Sequence, residues 1–165
     1  MAEPDPLDYA IQLEQDGQAY YSEAATNTTN PLGKKMFESL AADESRHEDI
    51  VRRIARKTDV AVEGELPKKR LVTLFDTLGQ ELRRDLSADA DDTQVIEKAL
   101  EMEKASIDHY QKQAQQTSDE SHRAVYQRLT QEERQHHEIL QDTLTYLNDT
   151  GLWFLWDEQA LLDGG

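Results

Sequence analysis

Two short segments of this chain pair a glutamate with a histidine three residues later, Glu44-x-x-His47 and Glu133-x-x-His136. On a helix that spacing puts both side chains on one face, where they can reach the same metal ion or metal pair. The two segments are not independent. Shifting the first half of the sequence by 89 positions lays it on the second without a gap, so that Glu44 falls on Glu133 and His47 on His136. Glu14 falls on Glu103 and Tyr21 on Tyr110 at the same offset, together with Ala10 on Ala99, Ala25 on Ala114, Leu40 on Leu129 and Ile50 on Ile139. A repeat kept for packing alone would match mainly at apolar positions. Here the matches include the groups able to do chemistry.

The positions of these acids predict that they point inward. The first apolar stripe reads Leu7, Ile11, Glu14, Gln18, Tyr21, Ala25, and the second Phe37, Leu40, Glu44, His47, Val51, Ile54. The third is Ile96, Leu100, Glu103, Ile107, Tyr110, Ala114, and the fourth Tyr126, Leu129, Glu133, His136, Leu140, Thr143. Spacings of three and four mark the seams of a helical bundle. Four glutamates and two histidines therefore sit near the middle of four seams. Burying an unpaired carboxylate costs several kcal/mol or more, and no Arg or Lys lies in these stripes to neutralise them. Two divalent cations would cancel four negative charges and leave both imidazoles free to coordinate. One Glu from each of two helices plus Glu-x-x-His from the other two is the ligand set of di-iron carboxylate bundles.

Four long helices are expected at about 6–28, 31–57, 92–116 and 119–148, making the chain all-α. Asp5-Pro6 and Asn30-Pro31 each read as an N-cap followed by proline in the first turn. Thr117-Ser118-Asp119-Glu120 has capping-box spacing, and Gly151 is placed to end the last long helix. Short turns make each pair antiparallel. The organisation is one domain over 1–165: a helix pair at 6–57, a crossover at 58–91 with a weaker helical stretch from Leu71 to Leu86, a second pair at 92–148, and a C-terminal segment at 149–165 with a short helix at about 152–162.

Composition narrows the function. Acidic residues number 34 against 18 basic, a formal charge of −16, which would repel nucleic acid and anionic membranes alike. There is no cysteine, so disulfide, thiolate and Cys-ligated zinc or iron–sulfur chemistry is excluded. The start is acidic and lacks the features of a signal peptide, and no apolar run is long enough to span a bilayer. The expected compartment is the cytoplasm.

The segments LEQDGQAYYSEAA, FESLAADESRHEDI, MEKASIDHYQKQA and YQRLTQEERQHHEIL resemble the ferritin-like superfamily, specifically the rubrerythrin-type di-iron proteins. The resemblance covers most of residues 6–148. It implies a ferritin-like four-helix bundle with two iron ions (Fe²⁺/Fe³⁺) held by Glu14, Glu44, His47, Glu103, Glu133 and His136. Manganese or zinc are possible substitutes, although so many carboxylates suit iron or manganese better than structural zinc. Tyr21 and Tyr110 resemble family tyrosines that hydrogen-bond ligand carboxylates. The implied activity is a non-haem di-iron oxidoreductase reducing hydrogen peroxide, or dioxygen, with electrons from an external donor. A homodimer is the family expectation, and the long crossover would permit domain swapping. Two departures stand out: no four-cysteine rubredoxin iron site, and Ser106 where rubrerythrin proper has a further glutamate ligand three residues after the third-helix Glu. The alternatives are an iron-binding or ferroxidase protein for storage or delivery, and a non-catalytic helical module with a vestigial site.

Other residues read more plainly. His109, His122 and His137 are expected at the surface. Asp43 and Glu132 precede the motif glutamates and are placed to orient an imidazole nitrogen, but a solvated face is the favoured reading. Pro67-Lys68-Lys69-Arg70 reads as a solvated loop, and Trp153, Phe154 and Trp156 as packed on the bundle or on a partner subunit.

Overall fold

The computed structural model describes residues 3–58, 60, 62, 64–78 and 90–151. Its helices are α1 (Pro6–Asn27), α2 (Pro31–Ala55), α3 (Pro67–Leu78), α4 (Ala90–Gln116) and α5 (Glu120–Thr150), with no strand among the described residues. The four long helices agree with the sequence reading to within about two residues at each end. The predicted C-terminal helix and the three aromatics on it, like the crossover beyond Leu78, lie outside the described residues.

Local chemistry accounts for the helix ends. The Asp5 side chain accepts from the amides of Leu7 and Asp8, and Asn30 accepts from those of Leu32 and Gly33. Proline follows each cap, where its missing N–H is not needed. At the start of α5 the cap is Asp119, accepting from the His122 amide, and not the expected Thr117, whose hydroxyl accepts from the Asp119 amide instead. Asp119 wins because a carboxylate is the stronger acceptor at the positive end of the helix. Gly151 ends α5 in the left-handed region at φ 70°, returning its amide to the Leu147 carbonyl, as a glycine C-cap does.

Helix α1 packs along α2, and α4 along α5; α1 also meets α4, and α2 meets α5. This closes a four-helix bundle of two antiparallel hairpins, and α3 lies across α5 and α2. The Pro67–Arg70 segment is thus the first turn of α3 and not a solvated loop. It is anchored where Gln135 of α5 accepts from the Lys68 amide at 3.2 Å and Lys68 pairs with Glu138.

The core has two apolar clusters, one toward each end of the bundle. One gathers Tyr21, Met36, Phe37, Leu40, Leu71, Ile96, Ile139, Leu140 and their neighbours. The other gathers Ala10, Ile50, Val51, Ile54, Tyr110, Val125, Tyr126 and Leu129. On every long helix the acidic position falls between them. In α2 and α5 the buried stripes are as read from the sequence. In α1 and α4 the seam is rotated: Leu7, Ile11, Gln18, Leu100 and Ile107 are half-buried, while Ala10, Gly17, Ala99 and Ser106 take the inner positions. Small residues there leave room for neighbouring side chains: a Cβ on Gly17 would come within 2.6 Å of Glu44 Oε2.

Asn30 is buried while capping α2, so its replacement leaves two amides without acceptors. Asn30→Ala should destabilise the bundle by about 1 kcal/mol, measured as a lowered urea midpoint with an unchanged m-value.

Candidate metal centre

Each long helix delivers its share of one buried cluster. Glu14 comes from α1, Glu44 and His47 from α2, Glu103 from α4, and Glu133 and His136 from α5, and none is more than 3% exposed. Ligand-capable atoms of Glu14, Glu44, His47 and Glu133 lie within 4.8 Å of one another, and so do those of Glu44, Glu103, Glu133 and His136. Glu44 and Glu133 belong to both groups, as carboxylates bridging two ions would. All six residues singled out in the sequence are brought together.

Both imidazoles turn Nδ1 inward. His47 Nδ1 is 3.2 Å from Glu133 Oε1 and 3.6 Å from Glu14 Oε2; His136 Nδ1 is 3.1 Å from Glu133 Oε2 and from Glu44 Oε1. Each Nε2 points outward to a carboxylate, His47 donating to Glu132 Oε2 at 2.8 Å and His136 to Asp43 Oδ2 at 2.9 Å. Asp43 and Glu132 are buried, so the solvated face expected for them is corrected. Their signal was in the sequence, since Asp43 falls opposite Glu132 at the same offset of 89. Guanidinium groups compensate them from the rim: Arg46 reaches both oxygens of Glu132 at 2.8 and 3.0 Å, and Arg70 of α3 lies 2.8 Å from Asp43.

Tyr21 donates to Glu103 and Tyr110 to Glu14, each hydroxyl crossing from one hairpin to the other. Burial first, and then the charge of the accepting glutamate, push both phenols well above their ordinary range. They remain protonated donors. Of the other histidines, His109 is half-buried against Pro6 O at 2.9 Å and edge-on to Tyr9, whereas His122 and His137 are partly exposed.

Electrostatics show what the cluster lacks. Burial, and then mutual repulsion among the glutamates, raise Glu44 well above the ordinary carboxylate range and push Glu133 up to about 8. Burial also works against ionised Glu14, but the charge and hydrogen bond of His47 outweigh it and hold that carboxyl low. For His47 and His136, burial favours the neutral ring, yet the surrounding carboxylates win and raise both well above their usual value. Glu132 is held down to about 2 because the His47 and Arg46 interactions outweigh its burial. Protons thus fill the role that cations would otherwise take.

The donor set fits two metal ions on a direct observation. Glu103 Oε2 is buried with no hydrogen-bond partner, and Glu14 Oε2 and Glu44 Oε1 meet only an imidazole Nδ1, at 3.6 and 3.1 Å, although buried acceptors in folded proteins are almost always fully satisfied. The rubrerythrin family model matches residues 5–144. The chain belongs to the rubrerythrin family. No curated protein and no solved structure matches it in comparison. Rubrerythrins are ferritin-like di-iron proteins, and the buried Glu/His groups here are of the kind that can hold such ions.

Two outcomes follow for this chain. Without metal, Glu44, Glu133 and both histidines bind more protons folded than unfolded. Their stabilisation is complete below the unfolded values of 4.5 and 6.5 and is lost as pH rises through the folded ones, about 8 for Glu133. Glu132 and Asp43 act oppositely, both held low and losing their stabilisation on acidification, Glu132 as pH falls toward about 2. The metal-free melting temperature should therefore fall between about pH 5 and pH 8. Saturating divalent metal should reverse that trend, because ligation expels the protons. Separately, Glu132→Gln should weaken metal binding by about 10–100-fold in chelator-competition titrations, with helical circular dichroism retained.

Proposed function

We propose that this chain is a di-iron oxidoreductase that reduces hydrogen peroxide, with Glu14, Glu44, His47, Glu103, Glu133 and His136 as the iron ligands. The observation that carries the reading is the pair of four-residue groups sharing Glu44 and Glu133 in a buried site. Two irons bound there would supply two electrons together, the number needed to convert hydrogen peroxide and two protons into two molecules of water. Manganese or zinc would occupy the same donors without serving this reaction equally.

The protein's own residues do the rest. The carboxylates of Asp43 and Glu132 hold the outward Nε2 protons, which fixes each ring with Nδ1 free for the metal. Tyr21 and Tyr110 donate hydrogen bonds to one oxygen of Glu103 and of Glu14, orienting those carboxylates. The apolar clusters on either side exclude bulk water, which strengthens every electrostatic interaction inside. These residues contain no cysteine, so the electrons enter from a donor other than a thiolate-bound iron site within them.

A dimer and a cytoplasmic setting belong to the same proposal. No described helix is long and apolar enough to cross a membrane.

Elemental analysis should find two irons per chain. With a reduced donor supplied, steady-state peroxide consumption should continue over many turnovers and be lost in Glu133→Ala. Stoichiometric oxidation of added Fe²⁺ without peroxide turnover would favour storage or delivery, and a stable bundle taking up no metal would favour a vestigial site.

A further inference from the structure

Four of the six clustered side chains, Glu14, His47, Glu133 and His136, are completely buried, while Glu44 and Glu103 each keep 3% exposure. Those two line a cavity of about 220 Å³ between α1 and α4 that opens to solvent beside Leu13, Asp16, Ala105 and Ser106. Gly17 also lines this cavity. A Cβ built there would come within 2.6 Å of Glu44 Oε2, so only glycine lets that carboxylate lie against the α1 backbone. Glycine inside a helix is less favourable than alanine, and Gly17 occupies an interior position of a 22-residue helix. At the repeat offset Gly17 falls on Ser106, so both walls of the opening carry a small side chain at the same level. The rim carries the acids Asp16 and Glu101, Glu101 paired loosely with Lys98 at 3.6 Å.

The geometry points to this cleft as the entrance through which a divalent cation, and afterwards a peroxide-sized oxidant, reach the buried centre, with Gly17 and Ser106 keeping it open. The inference rests on the metal-binding reading above and adds the route. The rim acids attract a hydrated cation, the two partly exposed carboxylates receive it, and Glu103 Oε2, which has no hydrogen-bond partner, replaces part of its water.

An entrance sets rates and not affinities, because a barrier on the path slows arrival and departure alike. Ala105→Phe on α4 and Leu13→Trp on α1 narrow the mouth from opposite sides without altering a clustered residue. The test uses Co²⁺ with the full chain, following uptake by the absorption of the bound ion and release by extraction into excess chelator. Both variants should load and release Co²⁺ about tenfold more slowly than the parent, equivalent to about 1.4 kcal/mol of barrier, with stoichiometry and equilibrium affinity unchanged. Uptake and release at the parent's rates in either variant would overturn the entrance while leaving the metal centre intact. Loss of affinity without a matched slowing of both steps would overturn it too. A parent chain that binds no Co²⁺ would remove the metal centre and the entrance together.

Discussion

Four glutamates held away from water at one level of a helical bundle set the terms for everything around them. Desolvation and mutual repulsion push Glu44 and Glu133 toward the protonated state, and the buried Glu103 Oε2 finds no donor in the protein. A cluster like this stays folded only if positive charge enters it, as protons or as metal. The apolar clusters above and below raise the electrostatic stakes by keeping the local dielectric low. They also supply the hydrophobic stabilisation that offsets the strain.

Around that centre, charge is layered. The inner carboxylates face imidazole Nδ1 atoms, the Nε2 atoms face Asp43 and Glu132, and those acids face Arg46, Arg70 and Arg128 near the surface. Each layer compensates the one inside it, so the second pair of acids can be buried beside the first. Helix α3 takes part because it brings Arg70 to Asp43 and anchors its first turn on Gln135. The crossover between the two hairpins is therefore part of the support for His136.

The two hairpins are related by an approximate twofold repeat that reaches beyond the clustered residues. Each histidine is held by an acid from the opposite hairpin, and each tyrosine donates across the same divide. Neither hairpin can complete the site alone. The repeat breaks where one half carries Gly17 and the other Ser106, and there the cavity opens.

The helices, their proline-led caps, the repeat and the six clustered residues were all legible in the sequence, because each rests on local rules: spacing along a helix, a side chain reaching its own backbone, and the implausibility of unpaired buried acids. What adjacent helices do to one another is not local. The rotated seams of α1 and α4 escaped because Ala10, Gly17, Ala99 and Ser106 are small, and a hydrophobic stripe cannot show that a side chain from a facing helix, such as Glu44 against Gly17, claims the space beside them. Asp43 and Glu132 looked like ordinary acids beside a motif; their burial depends on guanidinium groups contributed by α2, by α5 itself and by a crossover helix distant in sequence. The residues alone determined which groups would do chemistry and on which helices they stand. Only the packing of the helices decided what holds those groups in place and from which side they can be reached, since both depend on contacts between chain segments far apart in sequence.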